Sequence, residues 1–172
     1  MRDINRMETV RIRPAEFADA VRIAEIYGSY VRGSTATFET EPPPASEMEQ
    51  RMRHLLGAGF PYLVAESEGL VVGYAYASAY RPRPAYRFTV EDSLYLDSAF
   101  TGHGIGAKLL TALLDICRER GYRQMVAVIG GSDNPASVRL HEKFGFRPVG
   151  VLRDVGFKFD KWLDTAIMQR EV

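Results

Sequence analysis

Apolar positions along the chain repeat with two periods, and the switches between them lay out the elements. Val10-Arg11-Ile12-Arg13 alternates as a first strand, which Pro14 breaks. From about Phe17 to Val31 the spacing turns helical, with Val21, Ala24, Tyr27 and Val31 as the face to be buried. Ser34 to Phe38 is β-branched and aromatic and predicts a short extended segment. Pro42-Pro43-Pro44 interrupts the pattern, and Ser46 with Glu49 has capping-box spacing for a second helix reaching about Leu56. Strands over Tyr62–Glu66 and Leu70–Tyr80 are joined by the turn Ser67-Glu68-Gly69.

The second half reads as βα units. An alternating strand, Thr89 to Leu96, precedes a helix with apolar residues at Ile105, Leu109, Ala112, Leu113 and Ile116. Arg120-Gly121 ends that helix with a basic turn and a glycine cap. A strand from Met125 to Ile129, a helix led by Asn134-Pro135 and a strand from Phe146 to Leu152 follow. An excursion through Gly156-Phe157-Lys158-Phe159 and a last strand from Trp162 to Met168 complete the series. An early antiparallel hairpin with later βα units predicts an α/β (α+β) fold with a mixed sheet and helices on both faces.

Composition narrows the function. At 172 residues the chain is expected to form a single domain over 1–172, with 1–8 as a loose tail and Met7 as an alternative start to Met1. The 22 basic and 22 acidic residues cancel, so no basic surplus points to nucleic acid. No apolar run reaches membrane-spanning length, and Met1 to Arg6 lacks the apolar core of a secretion signal, so a cytoplasmic protein is expected. Cys117 lies on an amphipathic helix and reads as a core filler. His54, His103 and His141 are scattered and give no ligand cluster, so no metal is expected.

The chemistry concentrates in Thr101-Gly102-His103-Gly104-Ile105-Gly106-Ala107, between a strand and a helix. Glycines let backbone amides approach a ligand closely, and the helix start adds partial positive charge, so a pyrophosphate fits there. The sequence from 102 to 107 also fits G-x-G-x-x-A, and Asp133 would be the ribose-binding acid of a dinucleotide site. Spacing alone leaves dinucleotide and coenzyme A both open. No Gly-Lys-Ser/Thr follows, which excludes a phosphate-loop nucleotidase. Lys108 and Arg139 are candidate cations for a polyanionic ligand.

What surrounds the glycines separates these readings. The turn, with the helix from Asn134 to the Glu142-Lys143-Phe144-Gly145-Phe146 ending, resembles the GNAT superfamily of acetyl-CoA-dependent N-acetyltransferases. Phe88-Thr89-Val90-Glu91, Val126 to Gly130, Ser137 to Glu142 and Gly156 to Asp164 narrow the resemblance to the phosphinothricin acetyltransferase branch. The similarity runs from about Val10 to Arg170; Thr101 departs from the usual Arg or Gln.

The resemblance implies the GNAT fold, in which acetyl-CoA lies between splayed central strands. Its pantetheine arm would pair with Leu94, Tyr95 and Leu96. Its pyrophosphate would rest on Gly102, His103, Gly104, Ile105, Gly106 and Ala107, and Asn134 and Ser137 would be further cofactor contacts. Glu91 matches the family's general base, and Asp92 would face the other way along a regular strand. His141 stands where many family members carry a tyrosine that protonates the departing thiolate and the branch carries histidine, at a pKa suited to neutral pH; a structural or cofactor-contacting histidine is the alternative.

The acceptor implied is a free α-amine on an amino-acid-like molecule of the phosphinothricin, methionine sulfoximine or methionine sulfone type. Arg81, Arg83 and Arg87 would supply charge for its anionic groups, and Phe38 and Tyr86 would supply walls. A protein N-terminus, a polyamine or a non-catalytic acyl-CoA sensor are the alternatives. A homodimer is expected, because members of the family commonly pair and the segment around Trp162 is apolar.

Overall fold

The computed structural model describes residues 10–131 and 134–172. The expected tail, the choice of start and Asp133 lie outside them. The elements are β1 (Arg11–Pro14), α1 (Ala20–Gly33), α2 (Ala45–Gly57), β2 (Tyr62–Ser67), β3 (Leu70–Ala79) and β4 (Thr89–Leu96). After these come α3 (Ile105–Glu119), β5 (Gln124–Gly130), α4 (Pro135–Lys143), β6 (Arg147–Lys158) and β7 (Lys161–Glu171). The strands form one seven-stranded sheet in the order β1-β2-β3-β4-β5-β7-β6. Among the described residues only β4 and β5 pair in parallel, and α3 is the crossover that a parallel pair requires.

Helices cover both faces of the sheet over β2 to β4. Tyr62 and Val64 of β2 pack with Ile23, Tyr27 and Val31 of α1 and Met48 and Met52 of α2. The alternate residues, Leu63 and Ala65, pack with Leu109, Leu110 and Leu113 of α3, and Leu140 of α4 joins that side. Burial on both sides explains why β2 is apolar almost throughout instead of alternating.

Several expectations are corrected. Val21 is 60% exposed; the buried stripe of α1 is Ala20, Ile23, Tyr27 and Val31, about 100° of helix rotation away. Ser46 and Glu49 form no capping box, because Pro44, with φ −68 and ψ 163, is the N-cap and the helix begins at Ala45. Glu49 pairs with Arg53 one turn on. Ser34 to Phe38 forms no strand.

The C-terminal segment is a long hairpin. β6 runs through to Lys158: Gly156, Phe157 and Lys158, expected to leave the sheet, pair with Leu163, Trp162 and Lys161, and the bulge lies between Leu152 and Gly156. Asp154, at φ 52, donates its N–H to the Asp164 carboxylate at 3.0 Å. Phe159 and Asp160, at φ 53 and 55, close the hairpin as a two-residue loop with both central residues left-handed.

Candidate active site

Parallel pairing of β4 with β5 runs from Thr89↔Gln124 to Asp92↔Ala127 and stops. Beyond that point β4 stays with β3 as far as Leu96↔Gly73, while β5 stays with β7 as far as Gly130↔Thr165. The strands part, and a cleft of about 590 Å³ opens between them. Its walls are Ser93 to Leu96 of β4, Ala127 to Gly130 of β5, the glycine turn, and the inner side of α4.

At one end lies the turn. Gly102 and Gly104 take φ 80 and 77, which ordinary residues avoid. Gly104 is the N-cap of α3 and no side chain caps that helix, so its first-turn amides are left to the cleft. Gly106 is buried for another reason: a Cβ there would stand 3.3 Å from Leu140. Arg139 and Lys143 of α4 line the same cleft, whereas Lys108 and His103 are exposed outside its lining.

α4 starts at Asn134, whose side-chain oxygen accepts the Ser137 N–H at 3.3 Å, with Pro135 in the first helical position. The capping group is therefore the side chain itself. One turn beyond Ser137, His141 reaches the cleft. Its Nδ1 lies 2.7 Å from the Ser137 carbonyl and its Nε2 lies 2.9 Å from Asp92 Oδ2. Phe146 presents a ring edge-on at 4.8 Å. Burial lowers the imidazole pKa, but the Asp92 hydrogen bond and charge and the Ser137 carbonyl outweigh it, and the net direction is up. Asp92 Oδ1 is buried without a hydrogen-bond partner among the described residues.

Glu91 lies on the opposite face of β4. It is opposite Ser78 of β3, two residues along from the Tyr76↔Ser93 pair. Burial first, and the Asp92 charge second, raise its pKa, while Arg81 pulls it down. Of the basic loop, Arg81 is thus close enough for its charge to register on Glu91. Its guanidinium covers the Tyr80 ring at 4.5 Å, and Tyr86 meets that ring edge-on at 5.7 Å. Arg83 and Arg87 are exposed, Arg87 lying over Phe88. Phe38 packs between Gly130 of β5 and Gly156 of β6. The Lys158 ammonium fixes the Phe38 loop by donating to the Ser34 and Thr37 carbonyls at 2.7 and 2.8 Å.

Three participants were not legible as such. Asp92, set aside because it faces away from Glu91, faces His141; the strand alternation contained half of that information, and the position of α4 the rest. Tyr30 donates its hydroxyl to the Leu96 carbonyl at 2.8 Å and accepts from the Leu96 N–H at 3.4 Å, so a ligand pairing at Leu96 must share or displace it. Lys158, expected in the excursion before the last strand and given no role, is 4% exposed. Cys117 is buried, its thiol pushed up to about 12 by burial. Among the described residues no cluster of His, Cys, Asp and Glu is arranged to hold a metal, and no helix is long and apolar enough to cross a membrane.

An uncapped helix start for a pyrophosphate, cations on α4 and an apolar-walled slot beside β4 fit acetyl-CoA. Residues 20–146 match the family model described as "Acetyltransferase (GNAT) family". A phosphinothricin N-acetyltransferase of Alcaligenes faecalis is 48% identical over 92% of this chain and 81% of its own. An L-methionine sulfoximine/L-methionine sulfone acetyltransferase of Salmonella typhimurium is 39% identical over 94% of each. The crystal structure of a GNAT superfamily phosphinothricin acetyltransferase from Sinorhizobium meliloti, in complex with AcCoA, superposes with a TM-score of 0.92. It is 49% identical over 95% of this chain and 89% of that one. With its splayed mixed sheet, glycine turn and cleft, the chain belongs to the GNAT acetyltransferase family.

Proposed function

We propose that this chain transfers the acetyl group of acetyl-CoA directly to the α-amine of a small amino-acid-like acceptor of the phosphinothricin, methionine sulfoximine or methionine sulfone type. The observation that carries the reading is the pair of groups on opposite faces of β4 where the strands part. Glu91 is on one face, with its pKa raised, and the Asp92–His141 pair is on the other. The relatives named for phosphinothricin and for methionine sulfoximine and sulfone support the acceptor class.

Bound acetyl-CoA supplies an activated acetyl thioester; the rest is the chain's work. Glu91 takes the amine proton, exposing the nitrogen lone pair. A carboxylate raised by burial is better matched to that task than an ordinary one. His141 holds a proton for the sulfur as the new C–N bond replaces the C–S bond. Arg81 and Arg83 meet the acceptor's anionic groups, and Phe38 and Tyr86 wall it. The turn from 102 to 107, with Asn134 and Ser137, holds the coenzyme beside Leu94 to Leu96. The reading also includes a homodimer, supported by the exposed apolar hairpin of β6 and β7.

The test is an acetyl-transfer screen over amino acids and analogues, read by release of free thiol. Transfer to glutamate-like phosphinic or sulfoximine acceptors is expected, and Glu91→Gln should lower turnover by about 10²–10⁴-fold with acetyl-CoA affinity unchanged. Thiol release with none of these acceptors, but with polyamines or peptide N-termini, would replace the acceptor class. Near-normal turnover by Glu91→Gln would remove Glu91 as the base.

A further inference from the structure

We infer that Asp92 is a positioning residue for His141, fixing the ring's orientation and keeping a second proton on the pair as the reserve from which the sulfur is protonated. The inference rests on the acetyl-transfer reading for its purpose, though not for its geometry.

The argument is one of hydrogen-bond inventory. Nδ1 lies 2.7 Å from the Ser137 carbonyl and 3.4 Å from the Ser137 hydroxyl; the carbonyl has no proton to give, so the shorter contact places a proton on Nδ1. Nε2 then faces a carboxylate oxygen at 2.9 Å, and that contact also requires a proton, carried by Nε2 or by Oδ2. Either way the pair holds two protons and no net charge. Removing one would set the Nε2 lone pair against a carboxylate in a site where the two side chains are 5% and 2% exposed. Burial makes that unpaired charge costly, so the pair keeps its second proton until a stronger local demand appears.

Among the described residues, no other group brings a competing charge to the ring. Phe146 gives a ring edge, and Arg170 lies beyond it, 6.0 Å from that ring's centroid. From α3 the thiol of Cys117 feels Asp92 but stays neutral, with burial holding its pKa near about 12. On the other face of β4, Glu91 feels the Asp92 charge. Both Asp92 and His141 line the cleft. In the step itself, the N–H (or O–H) bond of the pair breaks and an S–H bond forms. The pair is left as neutral imidazole beside carboxylate, and solvent water restores the proton once the products leave. Adjacent residues of one strand thus serve opposite ends of the reaction, Glu91 accepting a proton and Asp92 retaining one.

Asp92→Asn is the informative change. An asparagine amide donates to Nε2, which turns that nitrogen into an acceptor and stabilises the neutral ring with its Nδ1 proton still on Ser137. The experiment is an imidazole NMR titration of the ligand-free protein, with His141→Gln to assign the signal. In the wild type the His141 midpoint should lie above that of histidine in a short peptide, and in Asp92→Asn it should fall below it. The descending limb of kcat against pH should move to lower pH in the variant, and the ascending limb, set by Glu91, should move the same way because the Asp92 charge that raises it is gone. A wild-type His141 midpoint at or below the peptide value overturns the inference even if Asp92→Asn does not fold. So does a variant that folds and titrates like the wild type. Failure of the acetyl-transfer reading looks different: no acceptor releases thiol, while the ligand-free titration is untouched.

Discussion

Glu91 and Asp92 are neighbours in sequence and face opposite sides of β4, and side-chain alternation in a strand is the whole reason. That alternation was legible, and so were the filler character of Cys117 and the start of the helix at Asn134-Pro135. What Asp92 faces was not, because its partner stands 49 residues later on a helix that only the packed fold brings over the strand. The electrostatics of Glu91 lead to a prediction. Burial and the Asp92 charge raise its pKa and Arg81 lowers it, so the rising limb of kcat/KM against pH should lie above the ordinary carboxylate range. Arg81→Gln removes the opposing cation and should move that limb to still higher pH, besides raising the acceptor KM. A base must be ionised to work, so the variant loses activity on the acidic side first. A pH-rate profile of both proteins checks this; an unmoved limb would mean that Arg81 does not act on the base. His141 carries the converse linkage to stability. Its folded pKa is raised, so its contribution is fully present below the unfolded value and is lost as pH rises through the folded one.

Elements were read best where period and punctuation agreed. β2, β3, β4, α3 and β5 all fall close to their expected spans. The C-terminal hairpin was missed because its loop is Phe159-Asp160, left-handed at both positions without the Asn-Gly or Asp-Gly signal that normally announces such a turn. The capping box failed because a proline with fixed φ set the helix start first. The hairpin also reaches the site. A Cβ on Gly156 would stand 2.3 Å from Phe38 Cε2, and one on Gly130 would stand 2.8 Å from the Thr35 carbonyl. The ring of Phe38 therefore occupies the space of two absent side chains, while Lys158 holds its loop from below. Gly156→Ala should push the ring aside and raise the acceptor KM by roughly three- to tenfold, with acetyl-CoA affinity unchanged. Steady-state kinetics in both substrates, with calorimetry for the coenzyme, checks it. An unchanged acceptor KM would show that Phe38 is not a wall of the acceptor site.

At the scale of the whole molecule, the mixed sheet with helices on both faces was readable from the order of elements, since a βαβ unit after an antiparallel hairpin leaves few arrangements. The splay of β4 from β5 was not readable from periodicity, because it is where pairing stops and not a property of either strand. The strand order puts β6 at the edge of the sheet, and the hairpin exposes Val149, Val151, Leu152, Val155, Phe157, Phe159 and Trp162. Phe157 and Trp162 are cross-strand partners with ring centroids 5.0 Å apart, at 55% and 66% exposure. An apolar patch of this kind on an unpaired edge is costly to leave in water and invites association. A second copy presents the same patch, so a two-fold contact buries both at once. The protein should therefore sediment at about twice the 19.3 kDa chain mass at micromolar concentration. Trp162→Glu should shift it toward the monomer, because two charges would have to be desolvated in the symmetric contact. Since Trp162 is exposed in the single chain, the same change should cost the monomer little stability. A wild-type protein that stays monomeric at tens of micromolar, or a dimer indifferent to Trp162→Glu and Phe157→Asp, would rule this hairpin out as the interface.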